Sequence, residues 1–178
     1  MQTVEIYENI LDELHETTVI QFNNIIMPNC EFVNLEDICD IQVGEELDAF
    51  TENGFEVLNG YKSIGYCHKY NREANQLMIS KTVPNNCCFV PKKYFLTSNG
   101  LSISSHHKII SNELLLYILP MYDNEFYECY NPDLSLDKLK KFKVPLVDEA
   151  TKSKLLHLIK VFNDSYKLID NMKARYED

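Results

Sequence analysis

A chain of 178 residues, 45% of them hydrophobic, is long enough to bury most of its apolar surface in one core, so one domain is the starting expectation. Its formal charge of -10 works against approach to a polyanion, and its longest apolar run, "ELLLYILPMY", is far short of the ~20 residues a membrane span needs and is broken by Pro120. The six cysteines lack C-x-x-C spacing and follow no charged-then-apolar leader, which reads as reduced thiols in an intracellular, cytoplasmic protein.

The charge is unevenly spread. Residues 1–61 carry fourteen acids and no Lys or Arg, whereas residues 62–93 hold Lys62, Lys69, Arg72, Lys81, Lys92 and Lys93 against the single acid Glu73. A local basic face inside an acidic chain is one reading of that contrast, and a solvated surface is the other.

In chain order, residues 3–26 place Val4, Tyr7, Leu11, Leu14 and Thr18 at spacings of three and four with acids between them, which predicts an amphipathic helix ended by Pro28 and Asn29. From "FVNLEDICDIQVGEEL" to about Ser105 the apolar residues alternate or come in short runs. "GFEVLNGYKSIGY", "NQLMISKTV" and "CCFVPKKYFLTSNGLSIS" read as strands, with Gly and Asn at the turns. Ser111 caps a buried helix over "NELLLYILPMY", and a loop with Asn131 and Pro132 follows. "LSLDKLKKFKVPLV" predicts a helical turn from Ser135 and then an extended piece into Pro145. From Asp148, a predicted N-cap, Leu155, Ile159, Phe162, Tyr166 and Ile169 recur at four, three, four and three residues, a narrow apolar stripe suited to a partner helix. That partner is either the N-terminal helix, in an antiparallel coiled coil, or the same helix of a second chain; packing within the domain is the plainer alternative.

Signals for catalysis are weak. The five glycines lack the spacing of a phosphate loop. Cys67-His68, Cys87-Cys88 and His106-His107 are sequence neighbours, and adjacent residues in a strand point to opposite faces, so no metal site and no cofactor are expected. A nucleophile pair such as Cys88 and His106 is formally available but unmarked, and a non-enzyme is the reading.

The order of segments resembles a known family. "NLEDICDIQVGEEL", "GFEVLNGYKSIGY", "NQLMISKTVPNNCCFVPKKYFLTSNGLSIS" and "NELLLYILPMY" are similar to successive strands and the helix of a target recognition domain of type I restriction-modification specificity subunits. "LSLDKLKKFKVPLVDEATKSKLLHLIKVFNDSYKLIDNMK" resembles that domain's exit into a long spacer helix, and the likeness covers roughly residues 34–178. It implies an α+β fold: a mixed, mostly antiparallel globule over residues 31–147, an acidic helix over 1–30 and a spacer-like helix over 148–178. It also implies a protein without chemistry of its own that reads double-stranded DNA through the major groove while its helices dock methyltransferase subunits. With one recognition domain and one spacer helix, the chain would act as a half-subunit and form a homodimer.

By position, Lys69, Tyr70, Asn71, Arg72, Lys81, Asn85, Asn86, Lys92 and Lys93 then become the expected DNA contacts, with Lys140, Lys141 and Lys143 meeting phosphates at the domain exit. Two departures stand beside the likeness: residues 1–33 show no obvious counterpart, and the usually glycine-containing turn reads "TVPNNCC". The alternative is a protein-interaction or structural module that reuses the fold without reading DNA, with the acidic N-terminal part binding partners or imitating DNA.

Overall fold

A 25-residue helix, α1 (Gln2–Ile26), opens the chain. It is followed by β1 (Glu31–Asn34), the short α2 (Leu35–Ile38), β2 (Cys39–Val43), β3 (Phe55–Asn59), β4 (Lys62–Cys67), β5 (Gln76–Ser80), β6 (Cys87–Val90), β7 (Tyr94–Leu96) and β8 (Gly100–Ser105). Helices α3 (Asn112–Met121) and α4 (Leu136–Lys140), strand β9 (Lys143–Leu146) and the 26-residue helix α5 (Glu149–Ala174) complete it. This computed structural model describes residues 2–26, 30–82, 87–122, 126, 128–130 and 134–174, with side chains from residue 5 onward. The turns expected at Pro28–Asn29 and Asn131–Pro132, and the expected DNA contacts Asn85 and Asn86, lie outside the described residues.

Local chemistry sets several boundaries. The Ser111 hydroxyl accepts the Leu114 N–H and starts α3, the Ser135 hydroxyl accepts the Lys138 N–H and starts α4, and the Asp148 carboxylate accepts the Thr151 N–H at 2.7 Å and starts α5. The hydrogen bond from Thr151 also holds the Asp148 carboxyl below the usual carboxylate range. Pro145 sits inside β9, a strand of a two-stranded sheet with β1, where a missing N–H is tolerated on an edge.

The chain divides into two compact units, Met1–Glu31 with Val147–Asp178, and Phe32–Leu146. In the first, α1 and α5 pack together and run antiparallel: Glu8 pairs with Lys173 at 2.8 Å, and the His15 ring meets the edge of Phe162 at 6.3 Å. Thr18 is buried with its hydroxyl returned to the Leu14 carbonyl, and Phe22, Ile26, Leu155 and Ile159 are buried. Of the remaining stripe residues, Phe162 and Ile169 are half-buried, whereas Tyr166 is exposed beside Phe162.

The second unit is layered. Its four-stranded antiparallel sheet has the order β2-β8-β5-β6, and its three-stranded sheet β4-β3-β7 combines an antiparallel hairpin with one parallel pair, β3 beside β7. β5 is central, and Leu77, Met78 and Ile79 are all fully buried because both faces of that sheet are covered. Met78 and Val90 pack with Leu58, Tyr94 and Leu96 of the smaller sheet, while α3 packs over β5, β6 and β8. The opposite face of the smaller sheet, Val57, Cys67 and Phe95, is covered by Leu47 from the irregular segment 44–54. That segment crosses closely: a Cβ on Gly44 would collide with the Thr97 carbonyl oxygen, so only glycine fits. The fold is therefore α+β and mostly antiparallel.

Candidate nucleic-acid interface

The register of the β3–β4 hairpin, Phe55 opposite Cys67 and Asn59 opposite Lys62, gives the smaller sheet two ends. At one lie Gly54, Cys67 and the loop 68–75; at the other, the Gly60–Tyr61 turn. The basic residues that the sequence groups together are divided between them.

At the loop end, cations meet carboxylates. Lys69 Nζ lies 2.6 Å from Asp48 Oδ2, and Lys93 Nζ lies 3.0 Å from Glu73 Oε2. Lys93 also donates to the Tyr70 hydroxyl at 2.8 Å and sits over the Tyr70 ring, which packs at 4.9 Å against Phe55. The hydrogen bond from Lys69 holds the Asp48 carboxyl below its ordinary range, and that to Asp48 raises the Lys69 ammonium. Tyr66, 45% exposed, Lys92 and Lys93 border a groove of about 420 Å³.

Asn71 and Arg72 are turned to the fold instead. The Asn71 side chain donates to the Leu96 carbonyl at 3.0 Å and accepts the Leu96 N–H at 2.7 Å, taking the place of a neighbouring strand on the free edge of β7. Arg72 is only 5% exposed. Its guanidinium donates to the carbonyls of Val43 and Asn71 and lies 3.6 Å from Glu45, while its main chain exchanges hydrogen bonds with Tyr94. It ties three chain segments together from inside and leaves no fork for a phosphate. Behind it, the Tyr94 hydroxyl is buried without a hydrogen-bond partner among the described residues, and burial raises its pKa.

At the hairpin end, the β3–β4 tip, the β7–β8 turn, Ser80 and Thr82 surround a polar hollow of about 190 Å³, and Lys81, between the last two, joins this end through its N–H, which donates to the Asn99 main-chain carbonyl at 3.0 Å. Gly60, the first residue of the two-residue Gly60–Tyr61 hairpin loop, takes φ +58, the left-handed conformation that this position requires, and a Cβ there would press on Ser80 at 3.1 Å. The Asn59 amide oxygen accepts from Thr97 Oγ1 at 2.9 Å and from Asn99 Nδ2 at 2.8 Å. Tyr61 is 45% exposed, with the Lys62 ammonium 5.6 Å from its ring centre. Among the described residues neither Lys62 nor Lys81 has an ion-pair partner. Of this group only Lys81 stands among the sequence-named contacts; Asn59, Tyr61, Lys62, Thr82 and Asn99 do not. The Asn-Gly turn was the one local signal available for them, because the other members arrive from distant strands.

Lys140 ends α4, Lys141 caps it and Lys143 begins β9, where α4 packs against α2 and the Phe142 carbonyl accepts the Leu35 N–H at 2.8 Å. Nearby Lys138 is bonded to the Glu128 carbonyl. Among the described residues, no three His, Cys, Asp or Glu side chains converge as metal ligands, and no helix is long and apolar enough to cross a membrane. All six cysteines are free, and burial raises Cys39 and Cys87 to about 12, leaving them protonated at neutral pH.

By sequence, no family model and no curated protein matches this chain. Solved structures do match it by fold. An S subunit of a type I restriction-modification system from M. genitalium has a TM-score of 0.72 at 13% identity, covering 98% of this chain and 53% of that one. The chain shares the fold of type I specificity subunits. The HsdS subunit from Thermoanaerobacter tengcongensis agrees with a TM-score of 0.76 at 12% identity, over 97% of this chain and 48% of that one. A third chain, from a study of complex assembly and conformational transition in a type I R-M system, has a TM-score of 0.70 at 13% identity, over 99% of this chain and 53% of its own. This chain thus spans about half the length of these specificity-subunit structures.

Proposed function

We propose that this chain is a non-catalytic DNA-recognition module, equivalent to half of a type I specificity subunit, in which the Phe32–Leu146 unit reads duplex DNA and the α1–α5 pair makes protein contacts. The observation that carries the reading is the fold match across both units, 97–99% of the chain. Fold by itself does not give function, so the surface must support it. Lysines without a carboxylate partner among the described residues, Lys62, Lys81, Lys92, Lys140, Lys141 and Lys143, are the groups to hold phosphates, because an unpaired ammonium gives up only water and counterions on binding. Exposed Tyr61, Tyr66 and Tyr70 beside them add apolar surface.

On the helix pair, Ile6, Ile10 and Ile20 of α1 and Leu156, Val161, Leu168 and Met172 of α5 are exposed. This apolar surface is the place for a methyltransferase-type subunit or for the homodimer contact that a half-subunit needs.

A second reading, a protein-interaction module that does not read DNA, is favoured by a specific observation. Lys69, Arg72 and Lys93 each face a carboxylate of their own chain. Titration of a mixed-sequence labelled duplex at several salt concentrations separates the two. The DNA-reading proposal expects saturable binding whose log K falls linearly with log salt. Absence of binding at low salt selects the interaction module.

A further inference from the structure

We infer that the hairpin end of the smaller sheet is the edge that reads a base pair, with the Asn59–Asn99 amide pair on an adenine and Lys62 and Lys81 on the flanking phosphates. This rests on the DNA-reading function proposed above and adds to it the place and the base.

The two ends compete for that role on the same chemistry. For a cation to hold a phosphate it must first leave any carboxylate it already faces, and at the loop end Lys69, Arg72 and Lys93 each face one, leaving Lys92 as the cation there without one among the described residues. Lys62 and Lys81 have none among the described residues. Phosphate binding at the hairpin end therefore displaces no internal ion pair.

The amides supply the reading. Thr97 Oγ1 and Asn99 Nδ2 both donate to Asn59 Oδ1, which fixes that side chain with its oxygen already occupied. The Asn59 NH2 group and the Asn99 side-chain amide oxygen, Oδ1, have no hydrogen-bond partner among the described residues. A neighbouring donor and acceptor match the major-groove edge of adenine, which offers N7 as acceptor and the N6 amino group as donor. The exposed Tyr61 ring next to them provides the apolar contact that the thymine methyl of the same pair accepts.

The support is rigid. Asn59 and Lys62 end paired strands, Gly60 holds the tip against buried Ser80, and the Ser80 carbonyl accepts the buried Tyr130 hydroxyl at 2.8 Å. Lys81 is held by main-chain hydrogen bonds from its N–H to Asn99 and from Leu134 to its carbonyl. Base readers on such a frame need little ordering on binding.

The test uses the full chain, a labelled duplex pool and three variants. Lys62→Gln with Lys81→Gln is expected to weaken binding and to make the slope of log K against log salt shallower by about 1.8, from roughly 0.9 per phosphate contact. Lys62→Arg with Lys81→Arg restores the slope, which separates lost charge from lost folding. Asn99→Ala keeps the slope but reduces the preference for adenine at one position of the selected site by about tenfold or more. Removing a loop-end pair, Lys69→Gln with Asp48→Asn, leaves net charge, affinity and slope unchanged. A wild-type slope in the Lys62/Lys81 glutamine variant, or a loss confined to the loop-end variant, overturns the assignment while DNA reading stands. A wild-type chain that binds no duplex overturns both.

Discussion

The two ends of the β4-β3-β7 sheet carry similar side chains and use them differently. At the loop end Asn71 and Arg72 are spent on main-chain groups and Lys69 and Lys93 on carboxylates, so polar chemistry there holds the fold. At the hairpin end Asn59 is braced by Thr97 and Asn99 while the lysines stay unpaired, so polar chemistry there is left for solvent or a ligand. Residue type thus says little about role until the partners are known. An Arg at 5% exposure with carbonyl acceptors is a strut, and an exposed Lys at a hairpin tip is a contact in waiting.

The comparison breaks most directly at Arg72. Arg72→Met strands the Val43 and Asn71 carbonyls and is expected to cost about 3 kcal/mol, seen as a lower denaturant midpoint at unchanged m. Lys62→Gln with Lys81→Gln, at the other end, should shift stability by less than about 0.5 kcal/mol. Equal losses at the two ends would erase the distinction.

Asn71→Ala comes next. Removing the amide that serves both the N–H and the carbonyl of Leu96 should cost about 2 kcal/mol, and Leu96 should lose amide-exchange protection before the β3–β4 ladder does. Retained protection at Leu96 would mean that β7 does not depend on this brace.

Tyr94→Phe sharpens the contrast in the opposite direction. The buried hydroxyl has no partner among the described residues, so its removal should be neutral or stabilise by up to about 1 kcal/mol. A loss beyond that, by thermal unfolding, would reveal a hydrogen bond to a buried water.

The smallest effect is electrostatic. Asp48 titrates lower when folded, so its contribution is present above the ordinary carboxylate pKa and lost as the pH falls through the lowered folded value. The pair is exposed, and screening keeps that contribution small. In Lys69→Gln the Asp48 carboxyl resonance should titrate at a higher pH than in the wild type; an unmoved midpoint would show that the pair does not persist in solution.

The α+β class and the likeness to specificity subunits were readable because they depend on segment order and on local signals: Ser111, Ser135 and Asp148 before helices, Asn-Gly between strands. Roles at the candidate interface were not, since each is fixed across long separations. Arg72 meets Val43 across 29 residues, Asn71 meets Leu96 across 25 and Asn59 meets Asn99 across 40. A run of basic residues in sequence therefore gave no sign that strand pairing would send Lys62 and Lys81 to one end and Lys69 and Lys93 to the other. Long-range pairing also hid Asn71 and Arg72, whose loop looks exposed and polar until β7 is placed beside it.

That this chain reads duplex sequence underlies every role assigned to the smaller sheet. The most direct test is selection from a random-sequence duplex pool at physiological salt, with the retained DNA sequenced. The expected result is enrichment of a short defined site containing an adenine that responds to Asn99→Ala. A retained pool with unchanged composition would contradict it.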